Sequence, residues 1–159
     1  MHKPSILLFL SLASAAAMAA GDHQGGHAMR GEQQASAVGM PGKSADVTRT
    51  VDVSMDDSMR FVPDHVTVKA GETVRFFLKN CGKMPHEMVI GSMAELKEHA
   101  EIMRRFPSME HEDPNMITLK PGQRGGLIWK FDRPGSVEFA CLVPGHMEAG
   151  MVAKVTVSK

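Results

Sequence analysis

Cys141-Leu142-Val143-Pro144-Gly145-His146-Met147-Glu148-Ala149-Gly150-Met151 is the stretch on which the reading of this chain turns. A thiol, an imidazole and a thioether follow one another at equal spacing, C-x4-H-x4-M. Just before it lies the apolar run Val137-Glu138-Phe139-Ala140, and just after it Val152-Ala153-Lys154-Val155-Thr156-Val157. Both runs read as strands. The three side chains therefore share one loop at the end of a sheet, where they can fold around a single point. Pro144 fixes one φ of that loop, while Gly145 and Gly150 permit tight turns. A fourth group has to come from elsewhere, and His86 sits in a second loop, Lys79-Asn80-Cys81-Gly82-Lys83-Met84-Pro85-His86-Glu87-Met88.

These residue types together point to copper. Thiolate and thioether sulfur suit Cu(I), and imidazole suits both oxidation states. Two His and one Cys around the ion, with a weak and distant Met, form an electron-transfer centre. The expected ligands are His86, Cys141, His146 and Met151, holding one copper ion. Bound metal would keep Cys141 deprotonated. Three simpler readings compete. Cys81 and Cys141 would make a disulfide in an oxidising compartment. Zinc accepts Cys and His, but thioether is not among its usual ligands. Met151 taken alone would serve as core. None of the three accounts for all four residues.

Outward from the loop, the same strand grammar recurs. Val47, Val51 and Val53 open an alternating segment, followed by Phe61-Val62 and by His65–Lys69, where Val66 and Val68 alternate with polar neighbours. Thr73–Leu78 reads as a strand buried largely on both faces, and Glu87–Ile90, Met116–Leu119 and Gly126–Phe131 as further strands. Pro121-Gly122 and Pro134-Gly135 punctuate them as turns. Many short strands with Gly/Pro turns argue for an all-β sandwich or barrel. One segment differs: Ser92-x-x-Glu95 is a capping box, and Leu96, Ala100 and Met103 recur at helical spacing. The pattern predicts one inserted helix from about Met93 to Phe106, with Met103 facing the core.

The chain has 159 residues, which suits one domain with a leader or tail. Residues 1–19 read as a signal peptide: a weakly basic start, an apolar run from Ile6, and Ala17-Met18-Ala19 before the cleavage point. The apolar run is too short to span a bilayer. The expected destination is the periplasm, with no membrane attachment after cleavage. Residues 20–45 are rich in Gly, Ala, Ser, Gln, His and Met without apolar periodicity, and are expected to be a disordered tail. The domain is expected to run from 46 to 159. Eighteen Lys and Arg balance eighteen Asp and Glu, so no basic field exists to attract nucleic acid. Fourteen Met and eight His in a chain without Tyr are unusual. In the tail, His23, His27 and Met29, with Met40, offer accessory copper ligands; the insert adds Met93, His99, Met103, Met109, His111 and Met116.

The C-x4-H-x4-M loop and the upstream His86 resemble the cupredoxin family, the type-1 copper proteins similar to plastocyanin, azurin and pseudoazurin. The resemblance covers roughly residues 46–159. It implies a Greek-key β-sandwich with copper at one end, His86 and His146 as imidazole ligands, Cys141 as thiolate and Met151 as axial ligand. It also implies that His146 reaches the surface within an apolar patch and serves as the electron port, with Pro144, Met147 and Met84 around it. Three features depart from the pattern. Many members carry Asn after the first His, where it ties two loops together; Glu87 stands here, which puts that brace in question. Cys81 is an additional thiol. The helical insert is absent from the smallest members.

The function expected first is one-electron carriage between periplasmic partner proteins met transiently, by a monomer. The alternative is copper tolerance, in which the same site, with the His/Met tail, binds or oxidises excess copper; tail and insert resemble the periplasmic cupredoxins linked to that role. No enzyme is expected. Copper oxidases and nitrite reductases need further copper sites, typically with His-x-His pairs, and the chain contains none.

Overall fold

The computed structural model describes residues 38–107, 109 and 112–159. Ten strands, one α-helix and a short 3-10 turn at Ser44–Asp46 lie among them: β1 Met40–Pro41, β2 Arg49–Asp56, β3 Arg60–Val62, β4 His65–Lys69, β5 Thr73–Asn80, β6 His86–Gly91, α1 Met93–Arg105, β7 Met116–Leu119, β8 Arg124–Lys130, β9 Gly135–Ala140 and β10 Val152–Ser158. They form two five-stranded sheets, ordered β1-β8-β5-β2-β3 and β4-β10-β9-β6-β7. Most pairs are antiparallel, but β2 runs parallel to β5 and β4 parallel to β10. The chain crosses repeatedly between the sheets, as expected of a Greek-key sandwich.

Period-two alternation builds the core. Val74, Phe76 and Leu78 of β5 face Val137 and Phe139 of β9 and Val155 and Val157 of β10 in one buried cluster. Phe139 meets Phe61 edge-on at a centroid distance of 4.9 Å and Phe76 at 6.0 Å, so aromatic rings lock one sheet to the other. Contrary to expectation, β5 is buried on one face only: Phe77 points outward and is 41% exposed. The strand buried on both faces is β6, because α1 covers the outer side of its sheet. Met88 and Ile90 enter the main core, while Val89 packs with Leu96 and Ala100 of the helix. The helix starts at the expected capping box, with Ser92 and Glu95 bonding each other's backbone N–H, and Met103 is buried as expected.

The domain begins earlier than its composition suggests. Residues 38–45, assigned above to the tail, pack with the sandwich. Val38 is buried and its carbonyl accepts the indole N–H of Trp129 at 2.7 Å. Met40 and Pro41 pair with Lys130 and Trp129 at the edge of β8. This segment is held by backbone hydrogen bonds, which leave no apolar periodicity to read. Met40 is therefore a strand residue. His23, His27, Met29, His111 and the signal sequence lie outside the described residues. Among the described residues, no helix is long and apolar enough to cross a membrane.

Candidate metal centre

Strand parity delivers the site. Along β6, His86 shares the inward face with Met88 and Ile90, and Glu87 takes the outward face with Val89. Cys141, directly after β9, continues the inward series Val137 and Phe139. Met151, directly before β10, continues Ala153, Val155 and Val157. His86, Cys141 and Met151 are fully buried, and His146 is 7% exposed. The Cys141 Sγ and one ring nitrogen from each of His86 and His146 all lie within 4.8 Å of one another. Sγ stands 3.2 Å from Nδ1 of His146, and the two imidazoles stack obliquely at 4.9 Å. Met151 packs in the same cluster as Cys141. Both cysteines are free, Cys81 exposed and Cys141 buried, so the disulfide alternative falls away.

The ligand loop is knitted by its own backbone. Cys141 N–H donates to the carbonyl of Met151, and Met151 N–H donates to that of His146. Gly145 and Gly150 adopt φ of 90° and 94°, the left-handed turns expected of them. Arg60 of β3 reaches over to the Gly150 carbonyl at 3.3 Å.

The brace that Glu87 put in question is present in another form. Its Oε1 accepts the backbone N–H of Leu142 at 2.9 Å, and its Oε2 accepts the Thr118 hydroxyl at 3.2 Å. A carboxylate thus ties β6 to the residue after Cys141 and to β7. The Glu87 backbone N–H points at the Cys141 sulfur, 3.4 Å away.

Burial favours the uncharged forms of Cys141 and His146 when no metal is bound. Burial pushes the Cys141 thiol up to about 12, against the lowering effect of the Glu87 and Val143 backbone N–H groups. Burial also lowers the pKa of His146, helped by nearby His86. Two imidazoles and a thiol lie together in a buried place. Nδ1 of His86 is buried without any hydrogen-bond partner. A buried polar atom with no partner is costly, and a cation answers that cost. A soft sulfur beside two imidazoles suits copper.

One residue of the site escaped the sequence reading. Asp57, in the turn between β2 and β3, places Oδ1 3.1 Å from Nε2 of His86. Nothing in the local sequence links residue 57 to residue 86.

A thiol and two imidazoles buried at one end of a β-sandwich define a protein built to hold a single soft or borderline metal ion. Residues 47–158 match the family described as copper binding proteins, plastocyanin/azurin family. The chain is 46% identical over 158 residues to the copper-resistant cuproprotein CopI of Rubrivivax gelatinosus, spanning 98% of this chain and 96% of that protein. It is 40% identical over 128 residues to the protein of the same name from Vibrio cholerae serotype O1, spanning 80% and 76%. Among solved structures, auracyanin B shares the fold with a TM-score of 0.61 at 22% identity, over 76% of this chain and 95% of that one. The chain belongs to the plastocyanin/azurin family of copper-binding proteins, the cupredoxins.

Proposed function

We propose that this chain is a periplasmic copper-tolerance protein that binds one copper ion through His86, Cys141, His146 and Met151. The convergence of a buried thiol with two imidazoles carries the proposal. Relatives named for copper resistance, similar along 98% and 80% of the chain, favour tolerance over plain electron carriage. Bound copper would supply one-electron chemistry between Cu(I) and Cu(II). The protein's residues do the rest. Cys141 would serve as the thiolate donor, His86 and His146 would serve as imidazole donors, and burial would limit access of water. Met151, buried next to the start of β10, is the remaining soft donor. His146 is the one ligand with any exposure, which makes it the route by which an electron enters or leaves. No turnover of a substrate is assigned to the chain.

The test is growth under copper. A strain lacking this gene should be copper-sensitive, wild type should restore tolerance, and Cys141→Ser should not. Full rescue by Cys141→Ser would overturn the proposal. Removing residues 20–37, which leaves the sandwich intact, separates the two roles. An electron carrier would be unaffected, whereas loss of tolerance would assign the His23/His27/Met29 segment a part in copper handling.

A further inference from the structure

The loop before His86 is folded around one carboxylate. Oδ2 of Asp57 accepts the backbone N–H of Lys83 at 2.8 Å, and Oδ1 faces that of Met84 at 3.3 Å. Gly82 lies so close that a Cβ there would come within 2.1 Å of Oδ1. Only a residue without a side chain fits against the carboxylate. Buried Asn80 holds the loop from the other side. Its Oδ1 accepts the Gly82 N–H, and its Nδ2 donates to the carbonyls of Met84 and Leu119. Cys81 N–H is tied to the Met55 carbonyl at 2.7 Å. Asp57 is thus fixed by its surroundings before it meets His86.

That contact decides the imidazole. An ionised carboxylate only accepts hydrogen bonds, so Nε2 of His86 is the ring nitrogen that donates to Asp57. That leaves Nδ1, the buried atom with no partner, as the ring nitrogen facing the site. A carboxylate on the far nitrogen fixes ring orientation and makes the near nitrogen a stronger donor.

We propose that Asp57 is a positioning residue of the copper centre, aiming Nδ1 of His86 at the metal and stabilising Cu(II) relative to Cu(I). The inference rests on the copper-site reading above. It goes beyond that reading by naming a residue that sets the redox balance without touching the metal.

Three measurements test it, starting with the tautomer. In metal-free wild-type protein, ¹⁵N NMR of the His86 ring should show the proton on Nε2; a proton on Nδ1 would overturn the proposal without any variant having to fold. In copper-loaded protein, Asp57→Asn keeps an acceptor near His86 but removes the charge. It should raise the reduction potential, a tenfold loss of Cu(II) preference being about 59 mV. Asp57→Ala removes the acceptor too and should weaken Cu(II) binding by about 10- to 100-fold. A purely structural clip would lower the melting temperature of both variants while leaving potential and affinity at wild-type values, and that result overturns the proposal. If wild-type protein itself shows no thiolate-to-copper band, the copper-site reading fails and takes this inference with it. A normal band with unmoved potentials sinks the Asp57 role alone.

Discussion

Glu87 shows how one residue can change identity and keep a task. Its carboxylate accepts from Leu142 N–H and from Thr118 Oγ1, which fastens the strand of one ligand to the residue beside another. Glu87→Ala should leave the buried Leu142 N–H unsatisfied and cost about 1–3 kcal/mol, read by urea denaturation of metal-free protein. Glu87→Gln, which still offers an oxygen, should lose less. The two thiols differ as sharply. Cys81 is exposed and Cys141 buried, with its thiol pushed up to about 12 by burial. In metal-free protein at pH 8, a thiol reagent should therefore modify Cys81 promptly and Cys141 only on unfolding; rapid reaction of both would contradict the buried site. At this scale the sequence was only partly legible. Cys141, His146 and Met151 lie within one short loop, so their spacing announces them. Asp57 and His86 are 29 residues apart in chain, and only the packing of two turns brings them together.

At the scale of elements, alternation made most strands readable. β4 and β10 show the pattern plainly, with Val66 and Val68 pairing beside Val155 and Val157. β5 misled, because Arg75-Phe76-Phe77-Leu78 looks apolar on both sides, although Phe77 lies on the open face of its sheet. β1 left no signature, since two residues cannot show a period and its attachment is through backbone groups. A chain beginning at Val38 should melt like the longer one. A chain beginning at Asp46 loses the partner of the Trp129 indole and uncovers the β8 edge, and should melt several degrees lower by circular dichroism. The start of the helix was legible, because its cap is written in Ser92 and Glu95. Ser92→Ala should cost about 1 kcal/mol, with the metal centre's spectrum unchanged because α1 supplies no ligand.

For the whole molecule, the site's titrating groups shape stability without metal. Burial, with His86 beside it, lowers the pKa of His146, so the unfolded chain takes up protons first on acidification. Metal-free protein should lose stability as pH falls below the ordinary imidazole value of 6.5. The raised Cys141 thiol acts at the other end. Its contribution is complete below the ordinary value of 9.0 and is lost as pH climbs toward about 12. Urea midpoints against pH should form a dome between these limits, and Cys141→Ala should flatten its alkaline side. Copper that binds only the folded form adds stability by mass action, about 4 kcal/mol at a thousandfold excess over Kd. The sandwich thus holds a buried thiol and two imidazoles, with Nδ1 of His86 left without a hydrogen-bond partner. The most direct measurement is the visible and EPR spectrum of the protein loaded with one equivalent of Cu(II). The account predicts an intense thiolate charge-transfer band that vanishes in Cys141→Ser. A colourless wild-type complex, or a band that survives the loss of the Cys141 sulfur, would contradict it.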